Sequence, residues 1–308
     1  MAKPLRRAIH GILLLDKPKG ITSNAALQKA KRLFNARKAG HTGSLDPMAT
    51  GMLPLCFGEA TKVCQYLIDC DKRYRASMRL GITTNTGDAE GDVLSETAVE
   101  GIDQARIEEV LADFRGDIEQ IPPMFSALKH QGKRLYKLAA KGIEVERAPR
   151  SVTIHQLDFC GYHDNIIDID VHCSKGTYIR TLAEDIGQQL GCGAHLVTLR
   201  RYAVGNYTGK TLTTFAELEA LQQEDNYAQL DSQLLPLDSG LSYLPRLDLS
   251  DCDVQKLRNG LRLELEGNKD RCSGELMRLY SPGEGFFGLG EKRPDGQLAS
   301  RRIFHFSV

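Results

Sequence analysis

No apolar run in this 308-residue sequence approaches the roughly 20 residues that span a bilayer. The longest early stretch, Gly11 to Leu15, is too short for a secretory segment and lacks a small-residue cleavage pattern, which predicts a cytoplasmic protein with no membrane partner. None of the eight cysteines forms a C-x-x-C pair, and a chain this long builds a core without disulfides. Cys192 and His195 supply two of the ligands a zinc ion needs, but no second pair accompanies them, so no metal is expected. A Walker loop would end in Gly-Lys-Ser/Thr, and neither that nor G-x-G-x-x-G occurs; phosphate-loop nucleotide binding is set aside. Internal repeats and low-complexity tracts are missing too. The formal charge is zero, so bulk charge gives no attraction to nucleic acid.

The charges that are present are segregated. Between Lys3 and Lys38 the basic residues are Lys3, Arg6, Arg7, Lys17, Lys19, Lys29, Lys31, Arg32, Arg37 and Lys38, opposed only by Asp16. A second basic stretch runs through Lys129, Lys133, Arg134, Lys137, Lys141, Arg147 and Arg150, while acid gathers from Asp88 to Glu119 and from Glu217 to Asp253. Such separation builds a phosphate-binding face on a neutral protein, although charge runs of this kind also serve as plain solvated helix faces.

Hydrophobic spacing marks out the elements. Gly11 to Asp16 reads as a short buried strand broken by Pro18 and Gly20. A helix with Ser23 or Asn24 as N-cap follows, its stripe formed by Ala26, Leu27, Ala30, Leu33 and Phe34. Gly40 to Gly51 is rich in glycine with one proline and reads as a structured loop. Tyr74 to Gly81 alternates, with Tyr74, Ala76, Met78 and Leu80 on one face. Asp103 caps a helix carrying Ile107, Val110, Leu111 and Phe114 and ending at Gly116. Ile167, Ile169, Val171 and Cys173 mark another strand, and Gly176 turns into a helix with Ile179, Leu182, Ala183, Ile186 and Leu190, closed by Gly191. Ile121 to Arg150 begins with two prolines, is basic and weakly patterned, and reads as an arm reaching away from the core. Gln222 to Gly240 reads as a polar linker with a short helix. Beyond Pro245, glycines at 260, 267, 274, 283, 285, 288, 290 and 296 punctuate strand-like runs, which predicts a small β-rich domain. The expected division is residues 1–245 and 246–308.

Asp46 lies between Gly43 and Gly51 and directly before Pro47. Alone, a carboxylate there serves as well to close an Asx-turn. The segment Gly40-His-Thr-Gly-Ser-Leu-Asp-Pro-Met-Ala-Thr-Gly-Met-Leu-Pro54, however, closely resembles the signature of the tRNA pseudouridine synthase B (TruB) family. Leu15-Asp-Lys-Pro-Lys-Gly-Ile-Thr-Ser23, Asp71-Lys-Arg-Tyr74, Cys173-Ser-Lys-Gly-Thr-Tyr-Ile-Arg180 and Gly191-Cys-Gly-Ala-His-Leu-Val-Thr-Leu-Arg-Arg201 resemble further motifs of that family. The likeness is dense from Gly11 to Val204 and thin afterwards.

The resemblance implies a stand-alone isomerase that converts the uridine at tRNA position 55, in the T-stem-loop, to pseudouridine, as a monomer without guide RNA. It implies that Asp46 is the catalytic carboxylate, that Tyr74 stacks on the target base, and that Arg180 pairs with the carboxylate. It further implies that His41 contacts RNA, that Tyr178 and Leu199 line the uridine pocket, and that Lys17 and Pro18 support the catalytic loop. The segment 121–150 corresponds to an RNA-gripping insertion and the C-terminal part to a PUA-like RNA-binding module. The fold implied is α/β in the broad sense (α+β): a mixed, mainly antiparallel sheet flanked by helices.

Physical chemistry is consistent with such roles. The reaction breaks N1–C1′, turns the base and joins C5 to C1′ with no redox change, so no cofactor is required. A carboxylate serves either by covalent attack or by removing a sugar proton. Both need Asp46 ionised where burial raises its pKa, and an arginine offsets that. Flipping the base costs a few kcal/mol, and stacking on a ring such as Tyr74 returns about 1–3 kcal/mol. The alternatives are a non-catalytic RNA-binding protein that assists tRNA folding, and a guide-dependent relative working in a ribonucleoprotein.

Overall fold

The computed structural model describes residues 6–222, 227–264 and 274–305. Lys3, Gly267 and Cys272, and residues 223–226 of the expected linker, lie outside them. In chain order the elements begin with β1 (Gly11–Lys17), α1 (Ser23–Leu33), β2 (Ala39–His41), β3 (Thr50–Phe57), α2 (Cys64–Ile68), β4 (Lys72–Leu80), β5 (Ile82–Thr84) and β6 (Val93–Glu96). There follow α3 (Gln104–Asp113), β7 (Gly116–Gln120), β8 (Lys129–His130), β9 (Lys133–Arg134), α4 (Leu135–Ala139), β10 (Arg150–His163), β11 (Ile166–Cys173), α5 (Ile179–Gln189) and β12 (Ala194–Val204). The chain continues through α6 (Phe215–Leu221), α7 (Ala228–Asp231), β13 (Arg246–Asp248), α8 (Asp251–Arg258), β14 (Leu276–Ser281), β15 (Gly285–Lys292) and β16 (Leu298–Ile303).

Eight strands form the main sheet in the order β1-β3-β12-β4-β11-β10-β7, with β2 added beside β3. Every pairing in it is antiparallel except the short contact of β12 with β3 at Arg200–Thr50 and Arg201–Gly51. The sheet is therefore mixed and mainly antiparallel, as expected. On one face, α1, α3, α5 and α6 cover Leu13, Leu15, Tyr74, Ala76, Met78, Ile169 and Val171. On the other, Ile12, Leu14, Met52 and Cys56 are covered by Val63, Leu67 and Tyr207, by Phe286 and Leu289 of the C-terminal sheet, and by Phe304 just after its last strand. β1 is thus buried on both faces, which is why its sequence is a continuous apolar run rather than an alternation. The C-terminal sheet, β13-β14-β15-β16, encloses its own apolar cluster with Val254 and Leu257 of α8.

Local expectations needed four revisions. Thr22, not Ser23 or Asn24, caps α1, its hydroxyl accepting from Ala25 N at 3.1 Å; the Ser23 hydroxyl is spent on a distant loop. Gly40 and His41 belong to β2 because they pair with Cys56 and Leu55, so the true loop is only 42–49. α3 ends at Asp113, and Gly116 starts β7 with φ of 88°. The 121–150 segment does not simply stand off from the core: its base packs back onto α5, where Phe125 O accepts a hydrogen bond from Arg180 at 2.8 Å.

Candidate active site

The loop 42–49 leaves the sheet between β2 and β3 and is clamped from three directions. From β1, Lys17 sends its fully buried ammonium to Pro18 O at 2.9 Å, Ile21 O at 2.8 Å and Pro47 O at 3.4 Å. From α1, the Ser23 hydroxyl accepts from Leu45 N at 2.7 Å and donates to Leu45 O at 3.0 Å. From β12, Arg201 donates to Met52 O at 2.8 Å, Gly43 O at 3.2 Å and Ser44 O at 3.5 Å. These partners satisfy carbonyls that a tight loop strands, and they fix the residue between them, Asp46. Gly51 permits the close approach of β12: a Cβ there would meet Arg201 O at 2.2 Å, and its φ is 99°.

Asp46 meets Arg180 edge-on. Arg180 Nε lies 3.0 Å from Asp46 Oδ2, and Nη2 donates to Oδ1 at 3.4 Å. The rest of the guanidinium is held by Thr86 O at 2.8 Å and Phe125 O at 2.8 Å. Asp88, also buried, faces it at 3.8 Å and accepts from Thr86 Oγ1 at 2.7 Å and Glu90 N at 3.0 Å. The Arg180 side chain is only 4% exposed, whereas that of Asp46 is 37% exposed, so the arginine is the fixed scaffold and the carboxylate the accessible group.

Burial pushes the Asp46 carboxyl above the usual range, Arg180 pulls it back, and Asp88 adds to the rise. The Lys17 ammonium is pushed down to about 8 by burial, against the attraction of Asp46 and Glu90. Tyr74 is buried on the inner face of β4, where burial raises its phenol above the usual range; Arg201 and Asp46 act on that hydroxyl in opposite senses. The Asp46 charge also reaches the Tyr178 phenol, at the start of α5, whose backbone is held on both sides by the Gln120 amide, at 3.0 and 3.2 Å. Leu199 is buried on β12 and registers with Ala76 of β4, two residues beyond Tyr74. His41 ends β2 just before the loop, and burial, with Arg201 and Arg134, pushes its imidazole below the usual range.

The geometry therefore brings Asp46, Arg180 and Lys17 into direct or near contact and puts Tyr74 and Tyr178 within electrostatic reach; Pro18 takes part through its carbonyl. Cys192 and His195 are spent structurally: His195 Nδ1 lies 2.9 Å from Ile82 O, and Cys192 Sγ lies 3.5 Å from Gly193 O. Sequence reasoning missed Arg201, Asp88, Ser23 and Gln120. A signal existed for Arg201, since alternation along β12 places it on the buried side with Leu199 and Ala203. Among the described residues, His41 Nδ1 and Thr42 Oγ1 are buried without a hydrogen-bond partner, which is the kind of orphaned polarity a polar ligand satisfies. On the arm, Lys129, Lys133, Arg134, Lys137 and Lys141 line a groove of about 490 Å³ with Leu138 and Ile143.

Residues 31–179 match the family model described as TruB family pseudouridylate synthase (N terminal domain). Residues 180–242 match the tRNA pseudouridylate synthase B C-terminal domain, and residues 245–304 match Pseudouridine synthase II TruB, C-terminal. The chain is 52% identical over 301 residues to tRNA pseudouridine synthase B of Pseudomonas fluorescens, covering 98% of this chain and 97% of that one. It is 48% identical over 305 residues to the protein of that name from Actinobacillus pleuropneumoniae, covering 98% and 99%. Among solved structures, it superposes on a chain of a Cbf5-Nop10-Gar1 complex with a TM-score of 0.72 at 25% identity, covering 96% of this chain and 85% of that chain. A chain of the archaeal box H/ACA sRNP Nop10-Cbf5 complex shares the fold with a TM-score of 0.72 at 24% identity, covering 97% and 87%.

Proposed function

Since the chain belongs to the TruB family of pseudouridylate synthases, we propose that it isomerises the uridine at position 55, in the T-arm of tRNA, with Asp46 as the catalytic carboxylate. The reaction class is that of an isomerase acting on uridine in tRNA. The observation that carries the residue assignment is the edge-on Asp46–Arg180 contact at 3.0 Å in a loop held by Lys17, Ser23 and Arg201.

In this reading Arg180 keeps Asp46 ionised despite burial, ready either to attack the sugar or to remove a proton from it. The detached base stays on the inner face of β4, stacked on the Tyr74 ring with Tyr178 and Leu199 beside it. The clamped loop and buried arginine supply orientation without reorganisation during the reaction. His41 and Thr42 offer polar atoms to the flipped nucleotide, and the basic groove of the arm grips phosphates near the cleft. Residues 1–245 then form the catalytic domain and 246–308 a PUA-like RNA-binding domain. An RNA-gripping arm on the same chain supports a monomer working on tRNA in the cytoplasm without a guide RNA.

The test is to incubate the purified chain with a bare T-stem-loop, no guide present, and map pseudouridine by nucleotide. Conversion of one T-loop uridine is expected. Conversion only in the presence of a guide RNA, or at a uridine outside the T-loop, would overturn the assignment.

A further inference from the structure

Asp71 stands at the entrance to β4, His155 in the irregular register of β10 between Ile154 and Gln156, and His172 near the end of β11. His172 registers with Arg73, so its side chain lies on the sheet face opposite Tyr74 and the cleft. β4, β11 and β10 are consecutive in the sheet, so three residues remote in sequence converge on one patch. We propose that Asp71, His155 and His172 form a binding site for a divalent transition-metal ion of the zinc type.

The geometry fits that chemistry. Asp71 Oδ2 lies 3.2 Å from His155 Nε2 and 3.8 Å from His172 Nε2, and the ligand atoms all fall within 4.8 Å of one another. A tetrahedral zinc ion with bonds of about 2.0–2.2 Å holds its ligand atoms about 3.3 Å apart. Two edges of the triangle are near that spacing, and rotation of the two imidazoles closes the third. The two ring centroids are 4.8 Å apart, with the ring planes inclined by 47°. The side chains are 37%, 24% and 45% exposed for His155, His172 and Asp71, so an ion enters from solvent and keeps water in its remaining position.

The surrounding charges neither forbid the site nor explain the convergence. Burial chiefly, with Arg73 and His155, lowers the His172 imidazole below its usual range. Asp170, on the same face, offsets the Arg73 cation and is itself held by Tyr202 Oη at 2.6 Å and Arg75 Nε at 3.4 Å. Lys175 is paired with Asp69 at 2.9 Å. An ion here ties three adjacent strands together three residues before Tyr74; it touches no atom of the cleft and has no part in the chemistry.

The full-length chain, stripped by chelator, is titrated with Zn²⁺ against a chromophoric competitor, and separately with Co²⁺ followed by absorption. One equivalent of Zn²⁺ is expected, weakened about tenfold or more by His155→Ala, His172→Ala or Asp71→Asn and unchanged by His163→Ala on the same strand. Co²⁺ bound to the wild-type chain is expected to give d–d bands with no thiolate charge-transfer band, a readout that needs no variant to fold. No uptake, uptake insensitive to all three substitutions, or a thiolate band from the chain's cysteines would overturn the proposal.

Discussion

Replacing Arg180 by methionine keeps the approximate bulk of the side chain and removes the charge beside Asp46. Two unit charges about 4 Å apart at an effective dielectric near 20 attract by about 4 kcal/mol. The contact here is 3.0 Å at its closest, but the Asp46 side chain is 37% exposed and water screens it. A discounted contribution of about 1–2 kcal/mol remains, equivalent to about one pH unit. Burial and Asp88 already hold the Asp46 pKa up, and losing the arginine lets it rise further. In the proposed mechanism the ionised carboxylate is the reactive form, so that reading requires the rate to fall as pH drops through the folded pKa. In Arg180→Met the acid limb of the single-turnover rate should therefore move up by about one unit. The substitution also leaves the Thr86 and Phe125 carbonyls and the buried Asp88 without their cation, a loss on the order of 3–5 kcal/mol, so circular dichroism must accompany the kinetics. Arg180→Lys retains the charge without the planar fork and should move the limb less while still slowing the reaction. A folded Arg180→Met variant with an acid limb superimposed on that of the wild type would refute this account of how Asp46 stays ionised.

Gly51→Ala should destabilise the chain by about 2–4 kcal/mol in urea unfolding, since the new Cβ would meet Arg201 O at 2.2 Å with φ at 99°. The Glu184 carboxyl is raised to about 7, chiefly by burial. Its contribution to stability is complete below the unfolded value near 4.5 and is lost as pH rises through about 7. Glu184→Gln should therefore gain on the wild type across that window, by on the order of 1 kcal/mol after screening, read from urea midpoints against pH. Changing Lys133, Arg134, Lys137 and Lys141 to glutamine should weaken T-arm binding and flatten its dependence on log salt, measured by fluorescence anisotropy. The slope should fall by about 0.7–0.9 for each phosphate that is no longer neutralised.

Elements half-buried on one side were readable because alternation survives in them: β4 and β11 were placed from Tyr74, Ala76, Ile167 and Ile169. β10 was hidden by two register shifts, at Ile154/Gln156 and Phe159/Gly161, which break the period of two. β3 was masked by Pro54, tolerated there because its position lies just past the pairing with β2, which ends at His41–Leu55, and beyond the short contact with β12. Asp46, Tyr74 and Arg180 were reached through motifs, not periodicity. Ser23 was mistaken for a cap because its local sequence fits one, whereas its hydroxyl is taken by Leu45. Asp88 and Gln120 gave no local signal, since their partners on α5 are brought to them only by the tertiary fold. The same holds for Asp71, His155 and His172, whose convergence follows from strand order alone.

Asp46→Asn is nearly isosteric and removes only the ability to carry negative charge at the loop. With the T-arm substrate in hand, pseudouridine formation by this variant is measured over many wild-type turnovers, alongside its RNA affinity. The account requires no detectable product with binding largely retained; pseudouridine formed by the asparagine variant at the wild-type rate would contradict it.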